Sequence, residues 1–162
     1  MRIGLISDTH GLMRAEALAA LEGSAHIVHA GDIGSPDILE ALAGIAPVTA
    51  VRGNNDMNPW ASNIPDTARV ECGGVAIYVL HDLNTLDIDP VAQGCRVVVA
   101  GHSHRPAIVE RNRVLFVNPG SAGPRRFSLP IAVAHLDVDG ADVRASIVPL
   151  TIATDKKYSR SR

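Results

Sequence analysis

Two β-sheets packed face to face with helices outside, an α/β architecture, follow from three patterns in this chain. The first half alternates β-branched runs with helical stretches, the second half joins strands through hairpin turns, and polar islands recur where strands end. Strand–helix alternation builds parallel units and hairpins add antiparallel strands, so together they fit two sheets around one core. At 162 residues the chain can bury most of its apolar surface without staples, and a single domain over residues 1–155 is expected.

Residues 3–7 (Ile-Gly-Leu-Ile-Ser) read as a buried strand, and residues 14–21 (Arg-Ala-Glu-Ala-Leu-Ala-Ala-Leu) as a high-propensity helix broken by Gly23 and Ser24. Residues 25–28 form a second strand. Ser35 then has the place of an N-cap, with Pro36 at the first position of a helix that runs through Ala43 and closes at Gly44. Residues 47–51 form a third strand, and residues 68–71 pair with 75–80 around Gly73-Gly74. A short helix over residues 90–93 precedes a buried strand at 96–100. Residues 107–110 and 114–117 flank Arg111-Asn112-Arg113, and residues 131–138 and 143–148 flank Asp139-Gly140, both hairpin signals. The tail at 156–162 is basic, lacks apolar periodicity and is expected to fray.

Composition narrows the function classes. With 15 Lys+Arg against 17 Asp+Glu and a net charge of -2, no global basic field exists to hold a nucleic-acid backbone, and 3% aromatic residues are too few to stack unpaired bases. Cys72 and Cys95 make neither a short metal pair nor a disulfide framework and read as small buried thiols of a reducing compartment. The apolar run after Met1 is too short for a signal peptide, and no stretch reaches transmembrane length, so a cytoplasmic protein without a membrane partner is expected. Hydrophobic content of 46% leaves room for a homo-oligomeric interface.

The chemistry lies in five islands, each at or just beyond an apolar strand: Asp8 with His10, then Asp32, Asn54, His81, and His102 with His104. Asp8-Thr9-His10-Gly11 puts a carboxylate and an imidazole where a glycine eases the turn. His29-Ala30-Gly31-Asp32 repeats the device, and Asp32 has two oxygens with which to bridge two cations. Gly53-Asn54-Asn55-Asp56 offers an amide oxygen that hard or borderline cations accept. Each island taken singly has a bland reading as a turn, a cap or a hydrogen-bonded histidine. Gly101-His102-Ser103-His104 is the most specific, since no structural need calls for two imidazoles two residues apart. Five such islands at strand ends are hard to explain independently.

In order and spacing, Asp-x-His, Gly-Asp, Gly-Asn-x-Asp, a strand-end His and Gly-His-x-His resemble the calcineurin-like metallophosphoesterase superfamily. The resemblance spans residues 8–121, and Asn118-Pro119-Gly120-Ser121 is similar to the small prokaryotic phosphodiesterase branch. It implies a four-layer αββα sandwich of two mixed sheets with flanking helices, and a dinuclear centre. Asp8, His10, Asp32 and His104 would hold one metal, and Asp32, Asn54, His81 and His102 the other, which makes Asp32 the bridge and gives Asp32 and Asn54 catalytic weight. Two positions depart from the pattern: Asn55 stands where many relatives have His, and Asp82 where they commonly have Gly. An amide cannot serve as a general acid near neutral pH, so Asn55 favours substrates with good leaving groups or calls for another proton source. Asp82 either orients His81 or faces solvent.

Two divalent ions, roughly 3.5–4 Å apart in such sites, activate water and polarise a phosphoryl oxygen, so the expected reaction is in-line hydrolysis of a small phosphodiester. Donors without thiolate point to manganese first, then iron, nickel, cobalt or zinc. Asn55 and Arg125 are the candidate substrate contacts, with Arg52 and Arg126 also near the islands. The rival readings are a non-catalytic interaction module on the same fold, as the retromer scaffold subunit resembles this family, and a nuclease. His26 and His135 read as packed or surface imidazoles, His29 as core or a support to the site, Asp56 as a brace for its own turn and Trp60 as packing beneath a loop. Ser103 has no evident base partner, which argues against a serine nucleophile.

Overall fold

In β1 (Arg2–Ile6), Ile3 and Leu5 face one side and Ile6 the other, and all three are fully buried, so the strand lies inside a sheet covered on both faces. The structure is a computed structural model and describes residues 1–152. After β1 come α1 (Ala15–Leu21), β2 (His26–His29), α2 (Pro36–Ala43), β3 (Val48–Ala50), β4 (Thr67–Cys72), β5 (Val75–Leu80), β6 (Cys95–Val99), β7 (Ala107–Arg111), β8 (Val114–Asn118), β9 (Ala132–Asp139) and β10 (Asp142–Pro149). Single 3-10 turns form at Pro59–Ala61 and Leu83–Thr85.

Two five-stranded sheets result, in the orders β10-β9-β1-β2-β3 and β4-β5-β6-β8-β7, and both mix parallel with antiparallel pairs. The expected face-to-face sandwich is present. Ile3, Leu5, Val28, Ile77, Val97, Val99, Val117 and Leu136 form the core between the sheets. Ala17 and Leu21 of α1 and Ile38 and Leu42 of α2 join Ile6, Ile27 and Val133 on the outer face of the first sheet. Among the described residues both α-helices cover that sheet, while the second carries outside only Leu86 beyond the Leu83–Thr85 turn, packed with Leu80, Val98 and Phe116.

Several local expectations recur in the structure. Ser35 Oγ accepts the Asp37 N–H at 3.2 Å with Pro36 opening α2, and β4 and β5 pair around Gly73-Gly74. Cys72 and Cys95 are free and buried. The short helix expected at 90–93 is instead a run of turns: Gln93 N–H reaches Asp89 O, Gly94 turns to φ 71°, and β6 starts at Cys95. One turn gives too few hydrogen bonds to sustain a helix. The β9–β10 hairpin joins the first sheet beside β1. The tail at 156–162 lies outside the described residues. Among the described residues no helix is long and apolar enough to cross a membrane.

Candidate metal centre

Strands β1, β2 and β3 run parallel in one sheet, as β5 and β6 do in the other, so the loops that follow them gather at one end of the sandwich. Backbone hydrogen bonds join these loops: Asp8 N–H to Gly31 O at 3.0 Å, His10 N–H to Asp32 O at 2.9 Å and Gly101 N–H to His81 O at 2.9 Å. Five of the candidate ligands adopt the left-handed backbone: Asp8 at φ 56°, His10 at 47°, Asp32 at 54°, His102 at 71° and His104 at 62°. Each costs an L-residue about 1–2 kcal/mol, a strain that persists where the surrounding structure fixes a side chain for a task.

Asp8, His10 and His104 make the first group. Asp8 Oδ1 lies 3.4 Å from His104 Nε2 and 3.9 Å from His10 Nε2. The other Asp8 oxygen is occupied, accepting Ser7 Oγ–H at 2.8 Å and His102 N–H at 3.2 Å. Asp8 Oδ1 and His10 Nε2 are buried without a hydrogen-bond partner. Unpaired buried polar atoms are costly, and a carboxylate oxygen facing imidazole nitrogens suits a divalent cation. Burial pushes the Asp8 pKa above its usual range, against the hydrogen bond from Ser7. His104 is held below 6.5 by burial, with the Arg126 charge adding to the effect.

Asp32 Oδ2 lies 3.7 Å from His10 Nε2 and 3.3 Å from His81 Nε2, and so stands between the two groups. Burial opposes its charge, but hydrogen bonds from His81 and the Asn55 N–H bring its pKa to about 2. His81 Nδ1 donates to Ala30 O at 2.8 Å, which frees Nε2 for a ligand. Burial likewise opposes charge on His81, and Asp32 and the Ala30 carbonyl outweigh it, raising the pKa above 6.5. His102 Nδ1 lies 3.3 Å from His81 Nε2 and 3.2 Å from Asn54 Oδ1. The cluster brings all seven expected ligands together. A Cβ on Gly53 would fall 2.1 Å from Asp32 Oδ1, and one on Gly101 2.6 Å from Asp8 Oδ2, so both glycines admit a carboxylate where no side chain fits.

Several supports carry no ligand atom. Asp56 accepts Ile33 N–H, Gly34 N–H and Gly53 N–H at 3.0, 3.0 and 2.9 Å, so it braces its own turn and also ties that turn to the loop after β2. His29 is fully buried, and burial pushes its pKa down to about 3. Its Nδ1 accepts Gly31 N–H at 3.1 Å and its Nε2–H donates to Thr9 Oγ1 at 3.0 Å, which makes it both core and support. Ser7 escaped the reading of single motifs, and Asn118 and Ser121 entered only as part of a motif, without their roles: Ser121 Oγ donates to Asp8 O at 3.1 Å, and Asn118 Nδ2 donates to Gly101 O at 3.0 Å. The polar residues flanking Asp8 and following β8 were the available signal.

The remaining candidates divide. Asn55 donates to Asp32 twice, from its backbone N–H at 2.9 Å and its Nδ2 at 3.1 Å. Asp82 takes neither expected place: its Oδ2 lies 3.9 Å from His102 Nε2, while Oδ1 caps the 3-10 turn at Asn84 N. Arg125 Nη1 donates to Leu129 O, Arg52 pairs with Asp66 at 3.0 Å, and Arg126 is the cation that His104 senses. His26 meets Thr49, His135 meets Ala20 O, and Trp60 packs on the outer cluster of the first sheet. Ser103 Oγ accepts from Asn118 and the Arg105 N–H.

The family model described as a calcineurin-like phosphoesterase superfamily domain matches residues 1–141. A probable metallophosphoesterase of Methanothermobacter thermautotrophicus is 34% identical over 160 residues, covering 91% of this chain and 92% of its own. A phosphodiesterase of Methanocaldococcus jannaschii is 24% identical, covering 91% and 99%. Among solved structures, Vps29 of Chaetomium thermophilum shares the fold with a TM-score of 0.74 at 20% identity, covering 93% and 97%.

Proposed function

Because the chain belongs to the calcineurin-like phosphoesterase superfamily, whose members are metal-dependent hydrolases of phosphate esters, we propose that this protein is a phosphodiesterase working with two divalent metal ions. The observation that carries the two-ion reading is the pair of buried, partnerless atoms Asp8 Oδ1 and His10 Nε2 beside a second convergence at Asn54, His81 and His102, with Asp32 between. Asp8, His10, Asp32 and His104 would hold one ion, and Asp32, Asn54, His81 and His102 the other. Bound divalent ions would supply Lewis acidity and an activated water. Manganese is the first choice and iron, nickel, cobalt or zinc the alternatives, since the donors are imidazole, carboxylate and amide.

The chain's own groups then set the substrate. Asn55 steadies Asp32 and has an amide that donates without titrating, so no general acid arises there and good leaving groups are favoured. Arg126, beside His104, is a better candidate for a phosphate oxygen than Arg125, which bonds its own loop. The diester preference draws on the similarity to the archaeal phosphodiesterase. The test is hydrolysis of a chromogenic bis-aryl phosphodiester beside its monoester, by metal-stripped protein titrated with manganese, nickel, zinc and magnesium. Turnover of the diester restored by metal, and lost in His102→Ala with the fold intact, is expected. Absence of metal-restored turnover, or near-normal turnover in that variant, would refute the reading.

A further inference from the structure

A cavity of about 280 Å³ opens beside His102 and lies on the outer face of the second sheet, where no α-helix among the described residues covers it. Val98 of β6, Phe116 of β8 and Val109 of β7 line it, facing the turn at Asp82 and Leu83. Register gives it direction. Ala107 pairs with Asn118, whose amide bonds Gly101 O beside His102, so that end adjoins the candidate metal centre. Val109 pairs with Phe116 two residues further on, roughly 7 Å along the strand, and Arg111 follows at the far end. The Arg111 guanidinium sits 6.0 Å from the centre of the Phe116 ring. Among the described residues, no carboxylate or carbonyl meets the guanidinium of Arg111 or of Arg105, which lines the same cavity.

An apolar floor continuous with a hydrolytic centre, ending in a cation stacked on an aromatic face, fits a flat apolar group with an anionic end. We propose that this groove seats one ester arm of the substrate, an aryl-sized group whose anionic substituent meets Arg111. The proposal rests on the phosphoesterase reading for the neighbouring centre. The volume suits one such arm and not a folded partner or a polymer. Asp82, at the His102 end, disfavours an anionic substituent there and so sets the arm's direction.

The probes are 4-nitrophenyl phosphodiesters whose second ester is methyl, phenyl or 4-carboxyphenyl, with nitrophenolate leaving from each. With manganese-loaded protein, kcat/KM is expected to rise roughly tenfold or more from methyl to phenyl, the return for burying a ring, and again from phenyl to 4-carboxyphenyl. Val109→Trp, which fills the groove, should bring the phenyl-to-methyl ratio to about one, and Arg111→Gln should erase only the 4-carboxyphenyl advantage. Equal kcat/KM for all three esters overturns the groove while leaving the phosphoesterase reading intact. Turnover of none removes the phosphoesterase reading, and a second measurement then decides the groove alone. On titrating 4-hydroxybenzoate, NMR methyl shifts at Val98 and Val109 would retain it as a site for anionic aryl groups, and unmoved methyls would refute it.

Discussion

Asp8 and His104 are 0% and 3% exposed and held by Ser7, Ser121 and the loop joined to Asn118, whereas 44% of the His102 side chain is exposed and Asn54 stands at the surface. Asp8 and His104 make the inner half of the cluster the more deeply buried one, while left-handed backbone occurs in both halves, at His102 as well as at Asp8 and His104. The outer half is set by two accessible side chains, one on the Gly-Asn turn and one on the Gly-His-Ser-His loop. Preorganisation lowers the cost of binding, so this contrast predicts a tight inner position and a weaker, more exchangeable outer one.

The largest effect is expected at the inner carboxylate. Asp8→Asn should lower metal-dependent turnover by roughly 1000-fold, the equivalent of losing about 4 kcal/mol of transition-state stabilisation. The metal-free variant should melt no lower than the parent at neutral pH, since burial already disfavours the Asp8 charge. Asn54→Ala should cost less turnover. Equal losses at the two positions, measured as kcat/KM, would break the comparison.

Gly53→Ala tests how closely the backbone must approach the shared carboxylate. Its Cβ would stand 2.1 Å from Asp32 Oδ1, so Asp32 or the turn must move. A loss of about 1–3 kcal/mol in denaturant unfolding and a weakening of both metal positions are expected. Unchanged stability and metal affinity would show that Asp32 is not confined as the structure has it.

His29 gives an effect that appears only below neutral pH and sharpens the account of the buried half. Its folded pKa, about 3, lies below the usual 6.5, so its contribution to stability is fully present above pH 6.5 and is lost as pH falls from 6.5 toward 3. The metal-free protein should lose up to about 1.4 kcal/mol per pH unit there through this group, and His29→Gln should flatten that slope. Parallel slopes for the two proteins would exclude a neutral buried imidazole.

The ligands were legible because each is a chemically distinctive residue at the end of an apolar run, and a parallel strand delivers its end to a predictable place. The hairpins were legible from Gly73-Gly74 and Asp139-Gly140 for the same local reason, although nothing local told the β9–β10 pair to join β1. The supports were legible only in part: Asp56 was readable as a brace and His29 as core or support, but not the distant groups that such residues hold. Ser121 reaches Asp8 across 113 positions and Asp56 reaches Ile33 across 23, and such bonds leave no periodic trace in a sequence. Asp82 pointed toward His102 because a 3-10 turn sets its direction, and the identity of the next residue in the chain carries no such information. The helix expected at 90–93 failed because propensity over four residues does not outweigh a glycine turn into β6.

Calorimetric titration of metal-stripped protein with manganese, for the parent and for His102→Ala, is the direct test of a paired site with unequal halves. Two equivalents are predicted for the parent, one tight and one weak, with only the weak one lost in the variant. A single equivalent in the parent, or loss of both together in His102→Ala, would contradict it.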